Sequence, residues 1–134
     1  MLDPGFLVFS SAGRLLALPA ESVRTVTSWT PPKPLPRSAP WVEGVLEGQG
    51  EVVPVLREGH LWGVPAGSRD IVVVVLQEGR ALALLGTGPR MVSTRPLSSG
   101  AEDLPGPWSG TIDDSSEEVP CLDVGMLYMA LGLH

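Results

Sequence analysis

Between Trp41 and Leu56 the chain reads Trp-Val-Glu-Gly-Val-Leu-Glu-Gly-Gln-Gly-Glu-Val-Val-Pro-Val-Leu. Two short apolar strands flank a turn punctuated by Gly48 and Gly50, and Pro54 lies inside the second strand. Tight turns need positive φ, which glycine adopts without steric cost, so a hairpin alone accounts for the turn glycines. It does not account for Trp41, Gly44 and Pro54 at these spacings. That framework restricts the chain to far fewer folds than the hairpin itself.

The rest of the chain keeps the same rhythm. Phe6-Leu7-Val8-Phe9, a turn at residues 10–13 and a return through Pro19 read as an opening hairpin. Val23 and Val26 break strict alternation and suggest a helical turn or bulge before the next strand. Residues 30–40 carry five prolines and predict an irregular, extended connection, a stiff connector despite its P-x-x-P spacing. Residues 58–68 read as a further connection. Residues 70–77 and 80–85 form a hairpin turned at Glu78-Gly79, and Ile71 to Leu76 is apolar enough for a strand buried on both faces. A strand over 91–96 and a hairpin over 108–122 follow. The period then changes: Asp123 is a plausible N-cap, Val124, Leu127, Tyr128 and Leu131 recur at helical spacing, and Gly132 sits where the helix should end. Strands with turns every 8–12 residues, then one helix, predict an all-β fold with one C-terminal helix, built as an antiparallel barrel or a pair of small barrels.

Charge and composition exclude several functions. The net charge is −6, and from Pro96 onward seven carboxylates stand without one Lys or Arg. Nucleic-acid binding depends on a basic footprint, so it is not expected. No apolar run approaches the roughly 18 residues of a spanning helix, and no membrane insertion is expected. The N-terminus lacks the pattern of a signal peptide, and the single cysteine, Cys121, fits a reducing compartment, so a cytoplasmic location is expected.

The residues advertise no chemistry. The only histidines are His60, in a connection, and His134, at the chain end; neither is placed to serve Cys121 as a base. Cys121 lies in a predicted strand and reads as a small core residue. The run Asp113-Asp114-Ser115-Ser116-Glu117-Glu118 lacks the alternation of a calcium loop, and no Cys/His pair has zinc spacing. Gly86-Thr87-Gly88-Pro89 has no following lysine for a phosphate loop. No catalytic residue, metal or cofactor is expected.

The framework Trp41-Val42-x-Gly44-Val45, Gly50 and Val52-Val53-Pro54-Val55 resembles the central signature of the CheW-like domains of bacterial chemosensory systems. The likeness extends to Phe6 through Val26, to Ile71 through Leu85, and to Leu122-Asp123-Val124-Gly125-Met126-Leu127. It implies two packed SH3-like five-stranded barrels in one domain spanning 1–134. The first barrel is expected over 15–66, the second over 67–122 with the N-terminal strand 6–11, and the helix over 123–132. It also implies a non-enzymatic adaptor that binds the helical tip of chemoreceptors, the regulatory domain of a histidine kinase, or another CheW-like protein. The matched positions nominate Val23, Val45, Leu46, Gln49 and Gly50 as partner-binding residues, while Trp41, Pro54 and Trp62 are assigned to packing or turn geometry. Two departures stand out: Gln49 replaces the family's turn arginine, and Arg57 replaces the aspartate after the second strand. Glutamine hydrogen-bonds but carries no charge, so a subset of the usual contacts is expected. The alternative is a free-standing peptide- or ligand-binding β-barrel unrelated to chemotaxis, with an aromatic groove around Trp29, Trp41 and Trp62.

Overall fold

A 14-residue strand, Arg80–Ser93, organises the molecule because its two halves serve two different barrels. The computed structural model describes residues 5–48, 50–62, 67–94, 96–97, 106–115 and 117–133. In chain order the elements are β1 (Gly5–Ser11), β2 (Arg14–Pro19), a 3-10 turn (Ala20–Ser22), β3 (Val23–Ser28), β4 (Val42–Gly48), β5 (Glu51–Leu56) and α1 (Glu58–Trp62). They continue with β6 (Ile71–Gln77), β7 (Arg80–Ser93), β8 (Pro96–Leu97), β9 (Trp108–Asp114), β10 (Glu117–Leu122) and α2 (Val124–Ala130).

The first half of β7 pairs with β6, which pairs with β3, and it meets β5 of the β4–β5 hairpin at Ala83. The second half pairs with β1, which leads through β2 and β10 to β9 and β8. This division differs from the expected one. Residues 71–85 belong with the first barrel, while β1 and β2 both belong with the second. Grouping neighbouring hairpins follows the usual rule that consecutive elements are adjacent. Here one long strand passes between the barrels and breaks that grouping. The separate strand expected over 91–96 is instead the end of β7, followed by the short β8.

Gly86 makes the passage feasible. A Cβ there would lie 2.4 Å from the Ser10 carbonyl oxygen and 2.6 Å from the Phe9 ring. Beyond it the register against β1 slips by one residue around Gly88, whose φ is +66°. Such a bulge bends a strand and increases its twist.

Three layers of core follow from strand alternation. Val53, Val55, Val72, Val74, Ala83 and Leu85 fill the first barrel. Phe6, Val8, Ala17, Ile112, Val119 and Cys121 fill the second. The intervening positions (Leu7, Phe9, Leu16 and Leu18 from one side, Val73, Val75, Leu82 and Leu84 from the other) pack between the barrels with Trp41, Trp108 and α2. β6 therefore has no solvent face over Val72 to Val75, which explains its unbroken apolar run. Helix α2 begins as expected: the Asp123 carboxylate accepts from Met126 N at 2.9 Å. It ends at Gly132 (φ +79°), with Leu133 N bonded to Tyr128 O and Gly132 N to Met129 O, the two bonds of a Schellman motif.

Candidate partner-binding face

The open side of the first barrel lies between β3, which ends its sheet, and the tip of the β4–β5 hairpin. The groove there encloses about 570 Å³, with Leu46, Val53, Val72 and Val74 on its apolar side and Arg24, Thr25, Thr27, Glu47 and Glu51 around them. A β-bulge creates its charged rim. Val23 pairs with Val75 and Thr25 with Val74, so Arg24 is the extra residue. Bulged residues are re-aimed, and Arg24 reaches across to Glu51 at 3.0 Å.

The groove's far wall depends on the proline-rich segment. Lys33 exchanges both backbone hydrogen bonds with Val45, at 2.8 and 2.9 Å, and so covers the outer edge of β4. Gly44 is required by that approach: a Cβ would meet the Lys33 carbonyl oxygen at 2.5 Å and Pro32 Cβ at 2.9 Å. Pro54 fits for a related reason. It stands opposite Val45, whose N–H and C=O are spent on Lys33, so the missing proline N–H costs no bond at this pair.

These contacts sort the nominated residues. Leu46 lines the groove and is half-buried. Val23 opens β3 directly after the 3-10 turn, half-buried beside the central core. Gly50 is exposed in the hairpin turn with φ +76°, between groove residues Gly48 and Glu51. Val45 does not join them: it is 8% exposed, in the wall rather than on the face. Gln49 lies outside the described residues. Arg57 is occupied structurally, since its guanidinium donates to Pro40 O (3.3 Å) and Val42 O (3.0 Å) and clamps the start of β4.

Sequence reasoning missed the ion network behind this face. A second bulge, between Val42 and Gly44, turns Glu43 toward Arg69, which grips both its carboxylate oxygens at 2.6 Å. Arg69 also donates to Glu58, whose other oxygen accepts from Ala12 N and Gly67 N, each at 3.2 Å. Burial works against the Arg69 charge, but the bonds from Glu43 and Glu58 overcome it and hold its pKa above the ordinary value. Ala12 belongs to the β1–β2 turn, so Glu58 ties the second barrel to the first. The signal for this was faint: one glutamate and one arginine eleven residues apart in a loop-like stretch.

Among the described residues, Trp29 and Trp41 do not form an aromatic groove. Trp41 is buried in the central core and Trp29 packs against the first barrel's core, its indole N–H buried without a hydrogen-bond partner. The side chain of Trp62 lies outside the described residues. Among the described residues, no group of three or more His, Cys, Asp or Glu could hold a metal ion, and no helix is long and apolar enough to cross a membrane.

A profile of the CheW-like domain matches residues 5–92. Among solved structures, the chain is similar to a scaffolding protein, TtCheW, from Thermoanaerobacter tengcongensis. That alignment covers 91% of this chain and 90% of the other at 15% identity, with a TM-score of 0.76. At that identity the likeness concerns the fold. No curated protein sequence matches the chain.

Proposed function

The chain belongs to the CheW-like domain family, and from that premise we propose that it is a non-enzymatic adaptor of a bacterial chemosensory system. The observation that carries the reading is the groove between β3 and the β4–β5 hairpin, apolar inside and bridged at its rim by the exposed Arg24–Glu51 pair. A helical tip of a chemoreceptor suits it: apolar side chains of the helix cover Leu46 over the floor of Val53, Val72 and Val74, and its polar flank meets Arg24 and Glu51. Helix-in-groove recognition of this kind takes its affinity from a few buried anchors and its orientation from the rim.

The sequence departures argue for a reduced set of contacts. Gln49 offers a partner carboxylate no charge-assisted bond, and Arg57 is already engaged with two backbone carbonyls. We infer engagement of the receptor tip or another CheW-like protein, in preference to the regulatory domain of a histidine kinase. The test is a binding assay with all three purified partners. Binding to the kinase domain as tight as to the receptor tip would sink the preference, and binding to none would sink the adaptor reading. Leu46→Glu places a charge on the groove's lining and should weaken receptor binding at least tenfold while the protein stays folded; unchanged affinity would remove Leu46 from the face.

A further inference from the structure

The second barrel has a pocket that the adaptor role does not use. It lies where the starts of β1 and β9, the end of β2 and the Ala20–Ser22 turn approach β10, and it encloses about 620 Å³. That volume falls in the range of small-molecule sites, about 300–1,000 Å³, and barrel mouths are a common place for them. Phe6 and Cys121, both members of the second barrel's core, form part of its wall with Pro19 and Ala20. Ser109 adds a hydroxyl, which donates to the Cys121 carbonyl at 3.4 Å and keeps lone pairs to accept with.

Among the described residues, one charge sits on this wall. Glu21 is exposed, and no salt bridge of the described residues engages it. Burial pushes the Cys121 thiol above its ordinary pKa, so the sulfur is neutral near pH 7 and adds no second anion. An apolar wall with one uncompensated carboxylate at its side is complementary to a molecule with an apolar body and a cationic head. We propose that this pocket binds a small amphiphilic amine, with its ring system against Phe6, Pro19 and Ala20 and its ammonium between Glu21 and the Ser109 hydroxyl. The volume favours a free small molecule over a lysine or arginine side chain of a partner, which would fill only part of it.

The proposal stands apart from the adaptor reading, since the pocket and the groove lie on different barrels. Its test is a titration of the full chain followed by amide NMR. The probes are tryptamine and indole-3-propionate, which share a ring system and differ in the sign of their charge. Saturable tryptamine shifts are expected at Phe6, Ala20, Glu21, Gly110 and Cys121. Indole-3-propionate should bind more weakly by about fivefold, the scale of an exposed charge contact. Glu21→Gln should erase most of that difference. Ser109→Trp, at an exposed position that carries a large side chain without a core penalty, should abolish binding. Three results would each overturn the proposal: no saturable shift at these residues, equal affinity for the two probes, or undiminished binding to the Ser109→Trp variant.

Discussion

Removing the Glu58 side chain should unfasten the two barrels from each other. The residue is only 2% exposed, and its carboxylate satisfies three donors: the Arg69 guanidinium and the backbone N–H groups of Ala12 and Gly67. In Glu58→Ala the two backbone donors lose their acceptor, at about 1–3 kcal/mol each where water cannot replace it. Arg69 keeps Glu43 but loses its second anion; breaking a buried pair from one side costs about 3–5 kcal/mol. These terms overlap, and the mutation also relieves the cost of burying a carboxylate, so a net loss of about 3 kcal/mol is expected. With a urea slope of about 2 kcal/mol per molar, the unfolding midpoint should fall by about 1.5 M. Equilibrium urea unfolding at pH 7, followed by the fluorescence of buried Trp41 and Trp108, measures it. Glu58→Gln should lose about half as much, because its amide oxygen still accepts from the two backbone groups while its NH₂ faces a guanidinium. A double-mutant cycle with Arg69→Leu should show strong coupling between the two positions. A loss below about 1 kcal/mol in Glu58→Ala, or additive single and double mutants, would refute the argument that this network holds the seam.

Other changes test individual contacts. Gly44→Ala places a Cβ 2.5 Å from the Lys33 carbonyl, so the proline segment must shift. A loss of about 2–3 kcal/mol is expected, with faster hydrogen exchange at Lys33 and Val45. Asp123→Ala removes the cap of α2 and should cost about 1 kcal/mol in thermal or urea unfolding. Tyr128 gives a pH dependence. Burial raises its phenol to about 12 even though Arg24 pulls the other way, and its hydroxyl donates to Arg80 O at 2.7 Å. The contribution is intact below the unfolded value near 10 and is lost as the pH rises through the folded value. Unfolding free energy should thus fall by about 2 kcal/mol between pH 10 and 12, and a Tyr128→Phe variant should lack that decline.

Local signals carried most of the fold. The valine run of β6, the glycine turns and the capped helix were legible because each depends on periodicity or on a single turn residue. The assignment of strands to barrels was not, because β7 reads as two strands interrupted at residues 86–89, and only tertiary packing makes it one. Gly86 falls between the two expected strands, and its purpose is to let the Ser10 backbone and the Phe9 ring approach. The face was half legible. Leu46 lines the groove and Gly50 stands in the turn between groove residues, whereas Val23 packs against the central core, and the exposure of Val45 depended on whether residues 30–40 would cover β4. A proline-rich stretch gives no register from which to judge that. Glu43, Glu58 and Arg69 were invisible for a similar reason: a bulge aims Glu43 and an offset of eleven residues separates Glu58 from Arg69, and neither has a sequence period.

The two bulges of the first barrel suggest how its frame and its face divide the work. At Glu43 the extra residue turns a carboxylate onto Arg69, whose guanidinium is mostly shielded and held by two acids. At Arg24 the extra residue turns a guanidinium across the groove to Glu51, where both side chains are exposed and solvent screens the pair. The first arrangement resists exchange, since parting it strands buried charge. The second is readily exchanged, since water or a partner's charged group can replace either side. A binding face benefits from that asymmetry: the wall that positions Leu46 stays fixed while the rim releases Arg24 and Glu51 to whatever docks. It follows that Arg24→Ala should leave stability nearly unchanged yet alter partner association and its salt dependence. The Arg69 substitution should do the reverse, lowering stability with little change in the salt dependence of binding. If both variants shifted stability alone, the Arg24–Glu51 pair would belong to the frame and the groove would lose its polar rim.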